Sequence, residues 1–170
     1  MAAPTDPIRD NLAALLPRLR RFARALAANA ADADDLVQTA LEKALLRLDQ
    51  FKPDTRLDAW MFRIMRNAWI DEARARQVRL KRYAPEEAGA MVAGEDARTI
   101  EARMELKAVE RAMALLPPEQ REAVALVLVE GFSYKEAAAA LDVPMGTLTS
   151  RLARGRAALE AAISGEEKRS

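Results

Sequence analysis

The residues with the most pronounced chemical character lie in "SYKEAAAALDVPMGTLTSRLARGRAALE", residues 133–160. Thr147, Thr149, Ser150, Arg151 and Arg154 fall within one short stretch, Arg156 follows, and no acid stands between Pro144 and Leu159. Such a set performs no covalent chemistry. A guanidinium group can grip a guanine edge bidentately or hold a phosphate, and hydroxyls can hold phosphates too. A second basic zone runs from Arg56 to Arg82, with eight basic residues against three acidic ones. Within it Trp60, Arg63, Asn67 and Arg74 follow at spacings of three, four and seven, which puts them on one side of a helix. An amide can bond a base edge, arginines can track phosphates and an indole can stack on a base. The plain alternative for arginines on a helix is a solvated face. Trp60, beside Met61, Phe62, Ile64 and Met65, could equally be core.

The chain of 170 residues has neither cysteine nor histidine. Disulfides, thiol redox sensing, the usual zinc sites and nucleophilic chemistry with a Cys or His base are thereby excluded, and nothing calls for a cofactor or a metal. Paired carboxylates occur, but with no glycine-rich phosphate loop or nucleophile motif, so an enzyme is not expected. No apolar run approaches the roughly 20 residues that span a bilayer. The opening MAAPTDPIRD has neither the basic start nor the apolar block of a signal peptide. A cytoplasmic protein is expected. The formal charge of +1 conceals zones of opposite sign: Glu86 to Glu110 holds seven acids against three bases. Separate basic zones flanking an acidic segment point to at least two electrostatic partners.

What must position these groups is helical. Half the residues (51%) are apolar, aromatics make up 5%, and alanine and leucine dominate, which disfavours sheet. Ile8, Leu12, Leu15, Leu16, Leu19, Phe22, Ala23 and Leu26 approximate a 3.6-residue period, with Pro17 leaving open a kink or two shorter helices. A second helix is expected from Asp32, with Asp32 as its cap. Pro53 and Asp54-Thr55 mark a loop, and a long basic helix runs from about Leu57 to Arg82. Residues 83–100 lack a clear period and read as a linker. Helix resumes near Ile100 and ends at Leu116, before Pro117-Pro118. Residues 121–131 are apolar on nearly every side, as for a helix at the centre of a bundle. Ser133 and Glu136 form a capping box for a helix expected to bury Tyr134, Ala137, Ala138 and Leu141. Asp142-Val143-Pro144 breaks the chain, and a new helix carries the stripe Leu148, Leu152, Gly155 and Leu159, with the hydroxyls and arginines facing away. This is a helix-turn-helix suited to the major groove; Asp142 stands where glycine is common in such turns, and Asp tolerates the left-handed conformation better than most residues.

Three blocks carry a family resemblance: "DADDLVQTALEKAL" (32–45), "FKPDTRLDAWMFRIMRNAWIDEARAR" (51–76) and "LPPEQREAVALVLVEGFSYKEAAAALDVPMGTLTSRLARGRAALE" (116–160). In order and spacing they resemble the extracytoplasmic-function (ECF) group of bacterial sigma-70 factors, and the wording "FKPDTRLDAWMFRIMRNAW" and "GFSYKEAA" leans towards the subgroup serving the alphaproteobacterial general stress response. The resemblance implies an all-α protein of two small helical domains joined by a flexible acidic linker: sigma domain 2 over 7–82, the linker over 83–107, and a helix-turn-helix sigma domain 4 over 108–163. It implies a subunit that binds RNA polymerase core, at the clamp helices of the β′ subunit and at the β flap, and directs initiation at promoter DNA. The core-binding face would be Asp32, Asp35, Leu36, Gln38, Thr39 and Glu42. The minus-ten element would meet the loop of Asp54, Thr55 and Arg56, then Trp60, Arg63, Asn67 and Arg74. The minus-thirty-five element would meet Thr147, Thr149, Ser150, Arg151 and Arg154. The linker acids Glu86, Glu87, Glu95, Asp96 and Glu101 would lie along the polymerase's RNA path, or serve only as a solubilising spacer. An anti-sigma factor is implied as a further partner. The rival reading is a stand-alone helix-turn-helix regulator that binds duplex DNA without polymerase.

Overall fold

The computed structural model describes residues 7–27, 29–82 and 97–167, with side chains through 79 and again from 106 to 165. Seven α-helices occur in order among these: α1 (Pro7–Leu26), α2 (Ala30–Leu45), α3 (Leu57–Arg82), α4 (Ala97–Leu115), α5 (Pro118–Val124), α6 (Tyr134–Leu141) and α7 (Met145–Glu167). A single 3-10 turn, Leu48–Gln50, comes after α2, and a π-turn, Ala125–Val129, extends α5. The described residues contain no strand.

Helix α1 runs unbroken through Pro17. Proline there removes one backbone hydrogen bond, but Pro17 and Ala13, whose carbonyl loses its partner, both face solvent, so water can replace the bond. The stripe read from the sequence is the buried one: Leu12, Leu19, Phe22, Ala23 and Leu26. Helix α2 starts two residues earlier than expected, at Ala30, and its cap is Asn29 rather than Asp32. The Asn29 side chain accepts from the Asp32 N–H at 2.9 Å. Asp32 thus sits inside the first turn, where its charge meets the helix dipole. Helix α4 opens at Ala97, so helix reaches back into the segment read as linker. The linker acids Glu86, Glu87, Glu95 and Asp96 lie outside the described residues.

Pro118 occupies the first turn of α5, where its missing N–H costs nothing. The helix then widens. Glu130 N–H donates to Ala125 O at 3.0 Å, five residues back, and Gly131, with φ of 70°, turns the chain out. The capping box at Ser133 and Glu136 is present in both directions. Tyr134, however, is exposed, at 41%, while Phe132 is 4% exposed. Phe132 precedes the cap and Ala137 lies four positions into the helix, so this pair takes the inward position in the manner of a hydrophobic staple, leaving Tyr134 outside.

The two domains share one apolar core. The Phe62 ring stands edge-on to Phe22 at 4.7 Å and edge-on to Phe132 at 5.4 Å. Phe22 belongs to α1, Phe62 to α3 and Phe132 to the loop before α6, so the stack crosses from one domain to the other. Arg121 joins them at a second place. It donates to Leu26 O at 2.8 Å, Ala114 O at 2.6 Å and Leu116 O at 3.0 Å. These are carbonyls at the ends of α1 and α4, which lack partners within their helices and carry the negative ends of the helix dipoles. Its guanidinium lies 5.6 Å from the Trp69 ring centroid, and burial pushes its pKa down.

Candidate nucleic-acid interface

Helix α6 ends in a Schellman motif. Asp142 is left-handed, at φ 55° and ψ 49°, with Val143 N–H donating to Ala138 O at 3.0 Å and Asp142 N–H to Ala139 O at 3.3 Å. Glycine takes this conformation without the Cβ penalty. Asp142→Gly is expected to raise stability by up to about 1 kcal/mol, measured by urea unfolding; a loss of stability would show that the carboxylate itself contributes.

The turn delivers α7 with Leu148 and Leu152 buried against the bundle. Gly155 is the closest approach: an added Cβ would lie 2.8 Å from Val124 Cγ2 and 3.3 Å from both Gln120 Cβ and Gln120 O. Helix α7 is therefore seated on α5 where no side chain intervenes. The opposite face is the one read from the sequence. Thr149, Ser150 and Arg154 are exposed, and Thr147 and Arg151 are half-buried. The hydroxyls rest on their own helix, Thr149 donating to Met145 O at 2.9 Å and Ser150 to Thr147 O at 3.0 Å. Arg154 Nε donates to Ser150 O at 3.2 Å. Arg151 stands close enough to the buried Glu122 to favour its ionised form, though burial dominates and raises the Glu122 pKa.

The α3 candidates divide into two groups. Asn67 and Arg74 are exposed, as are Asp54 and Thr55 in the preceding loop. Trp60 is half-buried and packs on the core, with the Phe51 ring tilted against it at 5.2 Å. Arg56 and Arg63 are exposed too, but are engaged by the second domain. Arg56 pairs with Glu136 and lies over the Phe132 ring; Arg63 donates to Ala139 O at 2.8 Å. Arg56 also pairs with Asp58 at 2.7 Å, and Arg18 reaches the same carboxylate at 2.9 Å. Burial pushes the Asp58 carboxyl up, but hydrogen bonds from Arg56, Arg18 and the Ala59 N–H outweigh it and hold the pKa at about 2.

The α2 candidates gather along a groove of about 810 Å³ between α2 and α3. Asp32, Asp35, Leu36, Gln38, Thr39 and Glu42 all line it, with Asp71 and Glu72 contributed by α3. Five carboxylates face three cations, Lys43, Arg76 and Arg121, so the groove is acidic overall. Arg76 reaches Asp32 at 3.1 Å, Lys43 reaches Asp71 at 3.4 Å, and Gln38 donates to Glu42 at 3.1 Å. Leu36 is 7% exposed and forms part of the floor. Sequence reasoning passed over the residues joining the domains: Arg18, Arg21, Arg66, Arg121, Glu122 and Glu130. No short-range spacing marks them, because each partner across the domain boundary lies on a distant segment.

This arrangement, a helical domain with an acidic groove and a basic helix beside a helix-turn-helix domain, is that of sigma-70 proteins. Residues 106–159 match the family model "Sigma-70, region 4", and residues 12–66 match "Sigma2 domain of PhyR". The chain is 40% identical to the ECF RNA polymerase sigma factor EcfG of Rhodopseudomonas palustris, over 94% of this chain and 86% of that protein. Among solved structures it resembles the sigma factor RpoE of Bartonella quintana, crystallised with the anti-sigma factor NepR, at 32% identity and a TM-score of 0.79, covering 94% of this chain and 98% of that one. CnrH, in complex with the cytosolic domain of CnrY, matches at 29% identity and a TM-score of 0.68, over 93% and 88% of the two chains. The chain belongs to the ECF family of RNA polymerase sigma factors. None of its described helices is long and apolar enough to cross a membrane.

Proposed function

We propose that the protein joins core RNA polymerase in the cytoplasm and selects promoters by gripping them at two separated places, without covalent chemistry of its own. The observation that carries this reading is the outer face of α7 from Thr147 to Arg156, which holds no acid and is fixed on its underside at Leu148, Leu152 and Gly155. Such a face suits the minus-thirty-five major groove, with Arg151 and Arg154 offered to base edges or phosphates and Thr147, Thr149 and Ser150 to phosphates. Residues 51–76 would hold the unpaired minus-ten strand through Asn67, Arg74, Arg63, Arg56 and the Asp54-Thr55 loop, with Trp60 as a packed support. The acidic α2–α3 groove would dock basic residues of the β′ clamp helices, and the second domain would meet the β flap. In this division 7–82 is the first domain, 108–163 the second and 83–107 the connection, whose residues 97–107 open α4. Likeness to EcfG, to RpoE held by NepR and to the sigma domain of PhyR supports an anti-sigma partner and a stress regulon.

In vitro transcription with purified core polymerase and a promoter library tests the reading. Defined start sites are expected, and a footprint on duplex DNA without polymerase would favour the stand-alone regulator instead. Arg154→Ala is expected to lower transcription about tenfold or more from promoters with an intact minus-thirty-five sequence, as for the loss of a bidentate base contact. Asn67→Ala is expected to impair minus-ten reading while leaving core binding intact. Loss of core binding in Asn67→Ala would make the residue structural.

A further inference from the structure

We propose that the two domains latch one another in the resting chain, so that anionic groups of the second domain occupy arginines that the first would offer to single-stranded DNA. The occupied-arginine part rests on the proposed minus-ten role of α3; the latch itself does not.

The latch centres on Glu130. Its side chain is 0% exposed, and it receives Arg18 at 3.0 Å and Arg21 at 3.0 Å, both from α1. From there a chain of charges runs through Arg18 to Asp58, from Asp58 to Arg56, and from Arg56 to Glu136. This chain crosses the domain boundary twice. Two further contacts cross it beside α6 and α5: Arg63 on the Ala139 carbonyl, and Arg66 on Glu122 at 3.0 Å.

The partners have the chemistry of a nucleic acid backbone. Carboxylate and carbonyl oxygens take the guanidinium N–H groups that phosphate oxygens would take. The occupation is also selective. Arg56, Arg63 and Arg66 meet oxygens of the second domain, Arg56 and Arg63 remaining exposed as Asn67 and Arg74 are further along the helix. A strand binding at the start of α3 must therefore displace Glu136 and the Ala139 carbonyl from Arg56 and Arg63. Beneath the charges Phe132 closes on Phe62, so opening uncovers apolar surface and does not occur freely. A partner that binds the open arrangement more tightly shifts the population towards it.

The chain has no cysteine, so two introduced ones can be labelled cleanly. Asp49→Cys and Ala157→Cys, both exposed and on different domains, would carry a donor and an acceptor dye. Glu130→Gln removes the buried charge. Glu136→Gln removes the charge opposite Arg56 while keeping the capping box, which accepts Gln in place of Glu; it guards against a Glu130 variant that fails to fold, and circular dichroism checks both. Energy transfer is expected to fall in both variants. A short fluorescent single strand of mixed sequence is expected to bind them about tenfold more tightly than the parent, since affinity scales with the open fraction. Unchanged energy transfer in folded samples of both variants overturns the latch. Reduced transfer with unchanged strand binding supports the latch and removes Arg56 and Arg63 from the minus-ten site.

Discussion

Replacing Phe62 by alanine is expected to cost about 3–5 kcal/mol, the range for deleting a buried aromatic ring. That is a large part of the 5–15 kcal/mol that separates folded from unfolded in a typical domain. The ring is 1% exposed. It is the middle member of a stack of three, edge-on to Phe22 and to Phe132, and Arg18 lies over it with its guanidinium carbon 5.4 Å from the centroid. The cavity left behind would border both domains, and the shared core resists collapse, Leu19 and Leu26 of α1 and Leu126 and Leu141 of the second domain each being at most 1% exposed. The loss should therefore appear in a single urea transition followed by circular dichroism, with a lowered midpoint and little change in slope. Two separated transitions would show that the domains unfold independently and that the stack does not couple them. A cost below about 1 kcal/mol would mean that the ring is not packed as described.

Gly155→Val is expected to remove dependence on the minus-thirty-five element and to destabilise the second domain by about 1–3 kcal/mol, the usual penalty for overpacking. The first atom added already meets Val124 Cγ2 at 2.8 Å, and the backbone oxygen of Gln120 stands at 3.3 Å. Side chains can shift, but the Gln120 carbonyl is fixed in the α5 turn begun by Pro118. Helix α7 would have to tilt or slide, carrying Arg151 and Arg154 with it. Gly165 is the control, since a Cβ there meets nothing within 4 Å. Gly165→Ala should leave promoter dependence unchanged and stabilise slightly through helix propensity. Transcription from templates with and without the minus-thirty-five sequence measures the first effect, and urea unfolding the second. Full promoter dependence in Gly155→Val would show that the α5–α7 contact does not set the aim of α7.

The helices were legible because their ends carry local signals. Pro118, the Ser133–Glu136 capping box and Pro144 each act within one turn, and the bounds of α3 derive from the loop at Pro53 and the run of good helix formers beyond Leu57. The misreadings arose where two local signals competed. Asn29 and Asp32 can both cap; Asn29 does, because it sits at the position with extended backbone. Tyr134 and Phe132 flank the same cap, and the staple geometry chose Phe132. The acidic face of α2 and the outer face of α7 were also readable, because each is a spacing on one helix. The engagement of Arg56 and Arg63 was not readable. From position 56 to 136 and from 63 to 139 there is no short-range pattern, and a cation on a helix looks free in sequence until the fold delivers an oxygen to it. The widening of α5 at 125–129 left no mark either, since ALVLV suits an ordinary helix equally well.

That widened turn has a rotational consequence. Each residue of a regular α-helix advances the direction of its side chain by about 100°. A π-turn takes in one extra residue over the same rise, so every later side chain is held back by one step. Were 125–129 wound as tightly as α5, Glu130 would swing about a quarter-circle away from its bearing on Arg18 and Arg21. The extra residue thus works as a phase adjuster, setting the compass bearing of one acid. A chain one residue shorter between Ala125 and Leu128 could restore the same bearing with a plain helix.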